Sequence, residues 1–203
     1  MMRDKIKKDW VGNTQSVMAT LNSSNNTESV REKNDYYATP PRAVEQLLEL
    51  EDFQNNIWEC ACGEGHISKV LIDKGYNVRS SDLIDRGFGD TYNFLDTNGA
   101  VQCDIITNPP FSKATDFLEK AMDILFDGNK LVMLLRIQFL EGIKRGELYK
   151  KYPPKKVYVA SRNMRCAKNG DFENATGNAS TYCWFVWEKG FNGKTEIDWF
   201  NRD

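Results

Sequence analysis

Apolar and polar positions along the chain follow two periods that predict strands and helices in alternation. Apolar runs at 103–107 and 131–136 predict buried strands, because a strand covered on both faces has no polar side. Apolar residues spaced three or four apart over 43–50 and 112–126 predict amphipathic helices. Further strands are predicted at 57–59, 76–82, 156–160 and 181–187, and further helices at 66–74 and 143–151.

This order of elements predicts an α/β domain with a mostly parallel sheet and helices on both faces. The last predicted strand follows a loop instead of a helix, which favours an antiparallel hairpin at the edge of the sheet. We expect a single domain over residues 34–203. Residues 1–33 form a polar segment, with eleven Asn, Ser or Thr among residues 13–29. We expect that segment to be partly disordered or to dock over the site.

Composition agrees with one enzyme domain. The chain has 203 residues, of which 40% are hydrophobic, and it has no apolar run long enough to span a membrane. Its N-terminus lacks the apolar core of a signal peptide, and an odd count of five cysteines predicts reduced thiols in a cytoplasm. Cys60, Cys62 and His66 lie close together but lack a fourth ligand, so we expect no metal.

The segment Asn108-Pro109-Pro110-Phe111 follows the predicted strand at 103–107. Two prolines cannot continue a strand or donate to its ladder, so the chain leaves the sheet stiffly at Asn108. A carboxamide and an aromatic ring are then held at the carboxyl end of a strand, where open α/β sheets bind ligands.

These residues suit an amine that must act as a nucleophile. The Asn108 side-chain oxygen and the Pro109 carbonyl can both accept hydrogen bonds from the exocyclic NH2 of a nucleobase. Accepting both protons favours a pyramidal nitrogen whose lone pair points outward. Phe111 offers a face for base stacking, worth ~1–3 kcal/mol. A Pro-Pro turn followed by a core phenylalanine is the simpler alternative.

A glycine loop follows the strand at 57–59. Gly63 and Gly65 allow a tight turn and close approach of a ligand, with Ala61 in the same loop and a helix N-terminus directed at it. Glu59, at the end of the strand, suits a cationic amino-acid ligand. Asp82, which ends the next strand, is placed for ribose hydroxyls, and Asp96 could flank an adenine ring.

A dinucleotide-binding loop is a weaker alternative. It would need a third glycine where this chain has Ser68, and Glu59 would repel a pyrophosphate.

Taken together, Glu59-x-x-x-Gly63-x-Gly65, Asp82, Asp96 and Asn108-Pro109-Pro110-Phe111 resemble class I S-adenosylmethionine-dependent methyltransferases. The Asn-Pro-Pro-Phe form resembles DNA adenine-N6 methyltransferases, and 35–40 (Asp-Tyr-Tyr-Ala-Thr-Pro) resembles those of phages and prophages. The resemblance covers roughly residues 30–190. It implies a Rossmann-like, mostly parallel seven-stranded sheet with an antiparallel C-terminal edge hairpin.

The resemblance also implies the chemistry of the site. S-adenosylmethionine would be the cofactor, with Tyr37, Thr39 and Pro40 closing over its methionine end. The activity would be methyl transfer to the N6 amine of adenine in DNA, with the base flipped out of the duplex. Association with a restriction-modification system, and recognition through a partner subunit, would be compatible with this activity. The chain would act as a monomer or a homodimer.

The net charge of −2 is unusual for a nucleic-acid enzyme. Basic residues concentrate, however, between residues 144 and 168. The polar loop 161–180 joins two predicted strands and would rise from the same edge as Asn108, so Arg162, Arg165 and Lys168 are candidate substrate contacts. Alternatively, residues 161–180 form a mobile hairpin loop without contact to the substrate.

Three other functions remain open. Similar Asn-Pro-Pro-Phe motifs occur in RNA adenine-N6 and guanine-N2 methyltransferases. Protein-glutamine methyltransferases resemble the motif but usually carry Tyr in place of Phe111. The chain could also be a non-catalytic partner that binds cofactor or nucleic acid. Only 42 residues separate Gly65 from Asn108, which leaves no room there for a separate recognition domain.

Overall fold

The computed structural model describes residues 36–162, 164–168, 170–173 and 181–201. Its main sheet has eight strands. They are β2 (Asn56–Glu59), β3 (Asn77–Asp82), β4 (Asp90–Thr91), β5 (Asp104–Thr107), β6 (Lys130–Arg136), β7 (Lys156–Ala160), β9 (Tyr182–Glu188) and β10 (Glu196–Phe200). The predictions made for residues 1–33, and those for 163, 169 and 174–180 of the polar loop, lie outside the described residues.

The strands lie in the order β10-β7-β9-β6-β5-β2-β3-β4. All neighbouring pairs are parallel except those that β9 makes with β6 and with β7. From β2 the chain moves outward to β3 and β4, and it then returns to β5 on the other side of β2. The carboxyl ends of β2 and β5 therefore flank the point where the strand order reverses, which is the usual ligand site of such sheets.

Four helices are described: α1 (Pro41–Leu50), α2 (His66–Asp73), α3 (Ala114–Ile124) and α4 (Ile143–Lys151). The α1 helix begins with a proline in its first turn, where a missing N–H costs nothing. Gly65 precedes α2 in a left-handed conformation. No helix of the described segments is long and apolar enough to cross a membrane.

The helices cover both faces of the sheet, because side chains of successive strand residues point to opposite sides. In β5, Ile105 packs with α3 on one face and Ile106 packs with α1 and α2 on the other. The aromatic strand β9 does the same, with Phe185 on the first face and Trp184 on the second. The core therefore consists of two apolar layers.

The predicted α/β class is confirmed, with one difference in strand count. The pattern predicted six strands and the resemblance implied seven, whereas the structure has eight. The two strands that the pattern did not predict are β4, at one edge of the sheet, and β10, which pairs in parallel with β7 at the other. The antiparallel hairpin of β7 and β9 is present, but β9 lies between β6 and β7, and β10 forms the edge. The pattern at 196–200 predicted no strand, because only Phe200 in it is buried. An edge strand needs little apolar burial, since pairing on one side defines it.

A separate two-stranded sheet joins β1 (Tyr37–Ala38) to β8 (Ala167–Lys168). Its antiparallel register sets Tyr37 opposite Lys168 and Ala38 opposite Ala167. The segment before α1 is thereby attached to the polar loop between β7 and β9.

Candidate active site

Asn108 lies at the point where the strand order reverses, as the sequence predicted for the end of this strand. It directly follows β5, and Pro110 then precedes a 3-10 turn at Phe111–Lys113 that leads into α3. Pro109 is buried. The two prolines end the ladder, so the asparagine side chain stands clear of the sheet.

Two residues far away in sequence fix the orientation of the Asn108 amide. Its Nδ2 donates to the carbonyl oxygen of Tyr37 at 2.8 Å and to Thr39 Oγ1 at 3.1 Å. A backbone carbonyl can only accept a hydrogen bond, so the atom facing it must be the amide nitrogen. The side-chain oxygen Oδ1 is left to accept a hydrogen bond from a ligand.

A cavity of about 480 Å³ opens beside this amide. Asn108 and Pro110 line one side, while Ala61 and Asp82 line the side formed by the glycine loop and β3. Apolar walls come from Leu83, Ile84, Phe94, Leu95 and Phe117. The cavity thus combines an apolar slot with a few polar groups, as small-molecule sites do.

The glycine loop is backed by Tyr36. Gly63 has φ +54, and a Cβ built on it would lie 2.2 Å from the Tyr36 ring, so only glycine fits there. The Tyr36 hydroxyl accepts from the Glu64 backbone N–H at 3.3 Å and shares a hydrogen bond of 3.1 Å with His66 Nδ1. Burial raises the pKa of Tyr36 to about 12 and lowers the pKa of His66, which keeps both groups neutral. Gly65 has φ +80, and a Cβ built on it would lie 2.3 Å from the ring of Phe88.

Glu59 is almost completely buried at the end of β2, and it lines a small recess next to the cavity together with Thr39 and Asn108. Its Oε2 accepts from the Ser68 backbone N–H at 2.7 Å and from the Ser68 hydroxyl. Burial raises the pKa of Glu59 to about 8, although the hydrogen bonds from Ser68 lower it. A cationic group placed in the recess would favour the carboxylate form.

Asp82 connects β3 to the glycine loop and lines the cavity. One carboxylate oxygen accepts from the Gly63 N–H and the other from the Ile84 N–H, both at 2.9 Å. Each oxygen keeps a lone pair for a further donor such as a hydroxyl group.

Asp96 does not line the cavity. It is exposed, and its Oδ2 accepts from Asn93 Nδ2 at 2.9 Å. Asn93 and Leu95 provide the lining instead, because the chain turns through a short 3-10 helix at Phe94–Asp96 that directs Asp96 outward. The predicted contact of Asp96 with an adenine ring thus lacks support from the geometry, which favours Asn93. Pro40 is also outside the lining and caps α1.

A second recess, of about 160 Å³, lies beside Phe111. It is lined by Phe111, Leu135, Arg136, Gln138, Phe139 and Arg145. The Phe111 ring stacks on the Tyr37 ring, with centroids 6.1 Å apart and planes 20° apart. The guanidinium carbon of Arg136 lies 4.9 Å from the Phe111 ring centroid.

The predicted substrate contacts of the polar loop are only partly brought to the site. Arg162 and Arg165 are exposed and line neither the cavity nor the Phe111 recess. The backbone of Lys168 pairs with Tyr37, so the loop does reach the site through β8. Phe172 of the same loop contacts the ring of His66, with centroids 5.4 Å apart.

Arg136, Gln138 and Arg145 were missed by the sequence analysis. Arg136 is the last residue of β6 and comes directly after its buried apolar run, so a rule that looks for polar groups at the carboxyl ends of strands would also have found it. Among the described residues, no group of three or more side chains is arranged to bind a metal ion.

No protein-family model and no curated protein sequence matches the chain. Solved structures do match its fold. A proposed class I S-adenosylmethionine-dependent methyltransferase from Listeria monocytogenes aligns over 92% of this chain and 71% of its own, with a TM-score of 0.57 and 14% identity. A proposed RNA methyltransferase from Pyrococcus horikoshii aligns over 89% of this chain and 100% of its own, with a TM-score of 0.57 and 17% identity.

A modification subunit of a proposed type I restriction enzyme from Vibrio vulnificus also matches, with a TM-score of 0.56 and 12% identity. The alignment covers 82% of this chain but only 46% of that subunit. At these identities the likeness shows the fold alone. The chain has the Rossmann-like fold of class I methyltransferases.

Proposed function

We propose that the protein transfers a methyl group from S-adenosylmethionine to the exocyclic N6 amine of adenine in DNA. The observation that carries this proposal is the fixed amide of Asn108, whose oxygen is left as an acceptor on the wall of the large cavity. An acceptor held rigidly at that position suits an amine that must present its lone pair to a methyl donor.

The cavity has the donors, acceptors and apolar walls that this cofactor needs. When bound, S-adenosylmethionine supplies an electrophilic methyl group on a sulfonium. Asp82 would accept from the ribose hydroxyls, and Phe94 and Leu95 would hold the adenine between apolar walls, with Asn93 at its edge. Glu59 would hold the cationic amino end from the small recess, where Tyr37 and Thr39 also lie.

The substrate side is formed by Asn108, Pro109 and Phe111. The Asn108 oxygen and the Pro109 carbonyl would accept from the target amine, and the Phe111 ring would support the base. In duplex DNA the base must leave the helix, at a cost of a few kcal/mol. Stacking on Phe111, worth ~1–3 kcal/mol, would offset much of that cost. The rate gain would come mainly from positioning the amine.

DNA is favoured over RNA by the Asn-Pro-Pro-Phe motif together with its preceding Tyr-Tyr-Ala-Thr-Pro segment. The fold neighbours do not separate the two polymers, since they include both a restriction-enzyme modification subunit and a proposed RNA methyltransferase. The likeness to a proposed RNA methyltransferase keeps RNA as the second candidate, with the same site and a different polymer.

The test is radiolabelled methyl transfer to duplex DNA of mixed sequence, single-stranded DNA and total RNA, with products identified as nucleosides by mass. We expect N6-methyladenine from DNA, and no product from Asn108→Ala. That variant should bind cofactor within about tenfold of the wild type, because Asn108 contributes only one wall of the cavity.

Asn77→Ala is the matched control, since Asn77 is exposed at the opposite end of β3 and bonds only to Asn56 among the described side chains. It should retain full turnover. Label in RNA alone would make RNA the substrate and leave the roles of the site residues unchanged. Normal turnover by Asn108→Ala would contradict the proposal, and cofactor binding without turnover on any substrate would favour a non-catalytic partner.

A further inference from the structure

The ring of Phe111, which the proposed function uses as the platform for the target base, is in contact with Tyr37, Tyr182 and Arg136. Tyr37, which lines the large cavity, stacks on it with the planes 20° apart. Arg136, which lines the 160 Å³ recess together with Phe111, holds its guanidinium carbon 4.9 Å from the ring centroid. A base that stacks where the Tyr37 ring or the Arg136 guanidinium now lies must displace that group.

Tyr37 is the more firmly held of the two. Its carbonyl oxygen accepts from Asn108 Nδ2 at 2.8 Å, and its backbone pairs with Lys168 in the small sheet. Both contacts hold the Tyr37 backbone, so moving the segment that carries its ring would disturb the asparagine that the reaction needs.

The Arg136 guanidinium lies beside two neutral groups, the Tyr182 hydroxyl and the Phe111 ring. Among the described residues, its buried Nε has no hydrogen-bond partner and no carboxylate forms an ion pair with it. Its contact with Phe111 is a cation–π interaction, which a stacked nucleobase can replace. A guanidinium released from that ring needs a new partner, and the phosphate next to a flipped nucleotide is an anion within the same substrate.

We propose that Arg136 covers the base-stacking face of Phe111 until a nucleotide enters, and that it then moves to a phosphate of that nucleotide. The proposal rests on the proposed function. It makes Arg136 a positioning residue whose contact with phosphate depends on the presence of a base. Gln138 and Arg145 line the same recess and would surround the entering nucleotide.

The test compares two single strands of equal length, oligo(dA) and an abasic strand with the same number of phosphates. Binding of each is measured by fluorescence anisotropy over a range of salt concentrations, for the wild type and for Arg136→Gln. A phosphate contact contributes about 0.7 to the slope of log affinity against log salt for single strands, or roughly fivefold in affinity at 0.1 M salt.

We expect Arg136→Gln to lower this slope by about 0.7 with oligo(dA) and to leave it unchanged with the abasic strand. The slope is the decisive readout, because removing the arginine also uncovers the ring. Arg42→Gln is the matched control, since Arg42 is exposed on α1 and pairs with Glu45 and Glu49. It should change neither slope.

An equal loss of slope with both strands would overturn the proposal, because Arg136 would then be an ordinary phosphate contact. An unchanged slope with both strands would overturn it as well. A wild type that does not prefer oligo(dA) to the abasic strand would instead contradict the base site of the proposed function, and the role of Arg136 with it. Thermal unfolding of each variant, monitored by circular dichroism, verifies that the compared proteins are folded.

Discussion

Glu59 shows how burial tunes a single side chain for its proposed ligand. The group lies at the end of β2 with its carboxyl almost entirely removed from solvent. Burial raises its pKa to about 8, so the free protein holds it largely protonated at neutral pH. An ammonium group in the neighbouring recess would release that proton, and cofactor binding should therefore depend on pH.

We expect the affinity for S-adenosylhomocysteine, which has the same amino end, to increase by up to about tenfold per pH unit until roughly pH 8. Isothermal titration calorimetry in buffers of different ionisation enthalpy would measure both the affinity and the proton release. Glu59→Gln should bind weakly with a flat pH profile. A wild-type affinity independent of pH would show that Glu59 does not face the amino group.

The stability of the free protein should change with pH in the opposite direction. A carboxyl whose folded pKa is raised favours the folded state at low pH, and this contribution is lost as pH rises from about 4.5 through about 8. Binding and folding thus place opposite demands on the same residue.

At the scale of elements, the glycine loop depends on the segment that precedes α1. Gly63 lies against the ring of Tyr36, and Tyr36 bonds to Glu64 and His66. The next residue, Tyr37, belongs to β1 and orients Asn108. One short segment therefore supports the loop of the cofactor cavity and the amide of the substrate side.

We expect Gly63→Ala to destabilise the protein by about 1–3 kcal/mol, through strain at φ +54 and displacement of the Tyr36 ring. The matched control is Gly75→Ala, where φ is +92 but no atom lies within 4 Å of the added carbon, so only the strain remains. Urea unfolding would measure both. Combining Gly63→Ala with Tyr36→Ala should cost less than the sum of the single changes. Additive costs would mean that the two residues do not press on each other.

At the scale of the whole molecule, an ionic cluster joins α1 to two strands. Glu51 directly follows α1 and pairs with Lys130 of β6 at 2.5 Å and Lys156 of β7 at 3.1 Å, while Tyr158 donates to it at 2.7 Å. Burial opposes ionisation of Glu51, but hydrogen bonds from Lys130 and Tyr158 outweigh it and hold the pKa below 4.5. The cluster anchors the helix that follows the Thr39-Pro40 segment of the site.

Glu51→Gln should lower the free energy of unfolding by roughly 1–3 kcal/mol at neutral pH, a value discounted for the partial exposure of the lysines. Because the folded pKa of Glu51 is lowered, its contribution is present above about pH 4.5 and is lost as pH falls through the folded value. The difference between variant and wild type should therefore shrink in acid. Denaturant unfolding at neutral pH and in acid measures this difference. Glu45→Gln is the exposed control, and we expect it to change stability by less than about 0.5 kcal/mol. A difference that persists in acid would assign the loss to packing instead of charge.

Local sequence was sufficient for the features that depend on local chemistry. The two prolines after residues 103–107 end a strand wherever that strand lies, and Gly63 and Gly65 mark a loop with left-handed backbone angles. Continuous apolar runs identified the central strands, because strands buried on both faces carry no other pattern. The α/β class and the place of Asn108 followed from these signals.

Contacts between distant segments were decided only by the tertiary structure. The Asn108 amide is oriented by Tyr37 and Thr39, about 70 residues earlier, and no local pattern encodes that pairing. The outward turn of Asp96, the parallel pairing of β10 and the placement of Arg136 on Phe111 likewise depend on neighbours that the chain brings together only when folded. Backbone preferences act within a few residues and are written in the sequence, whereas the orientation of a side chain in a site is set by whichever groups the fold packs against it.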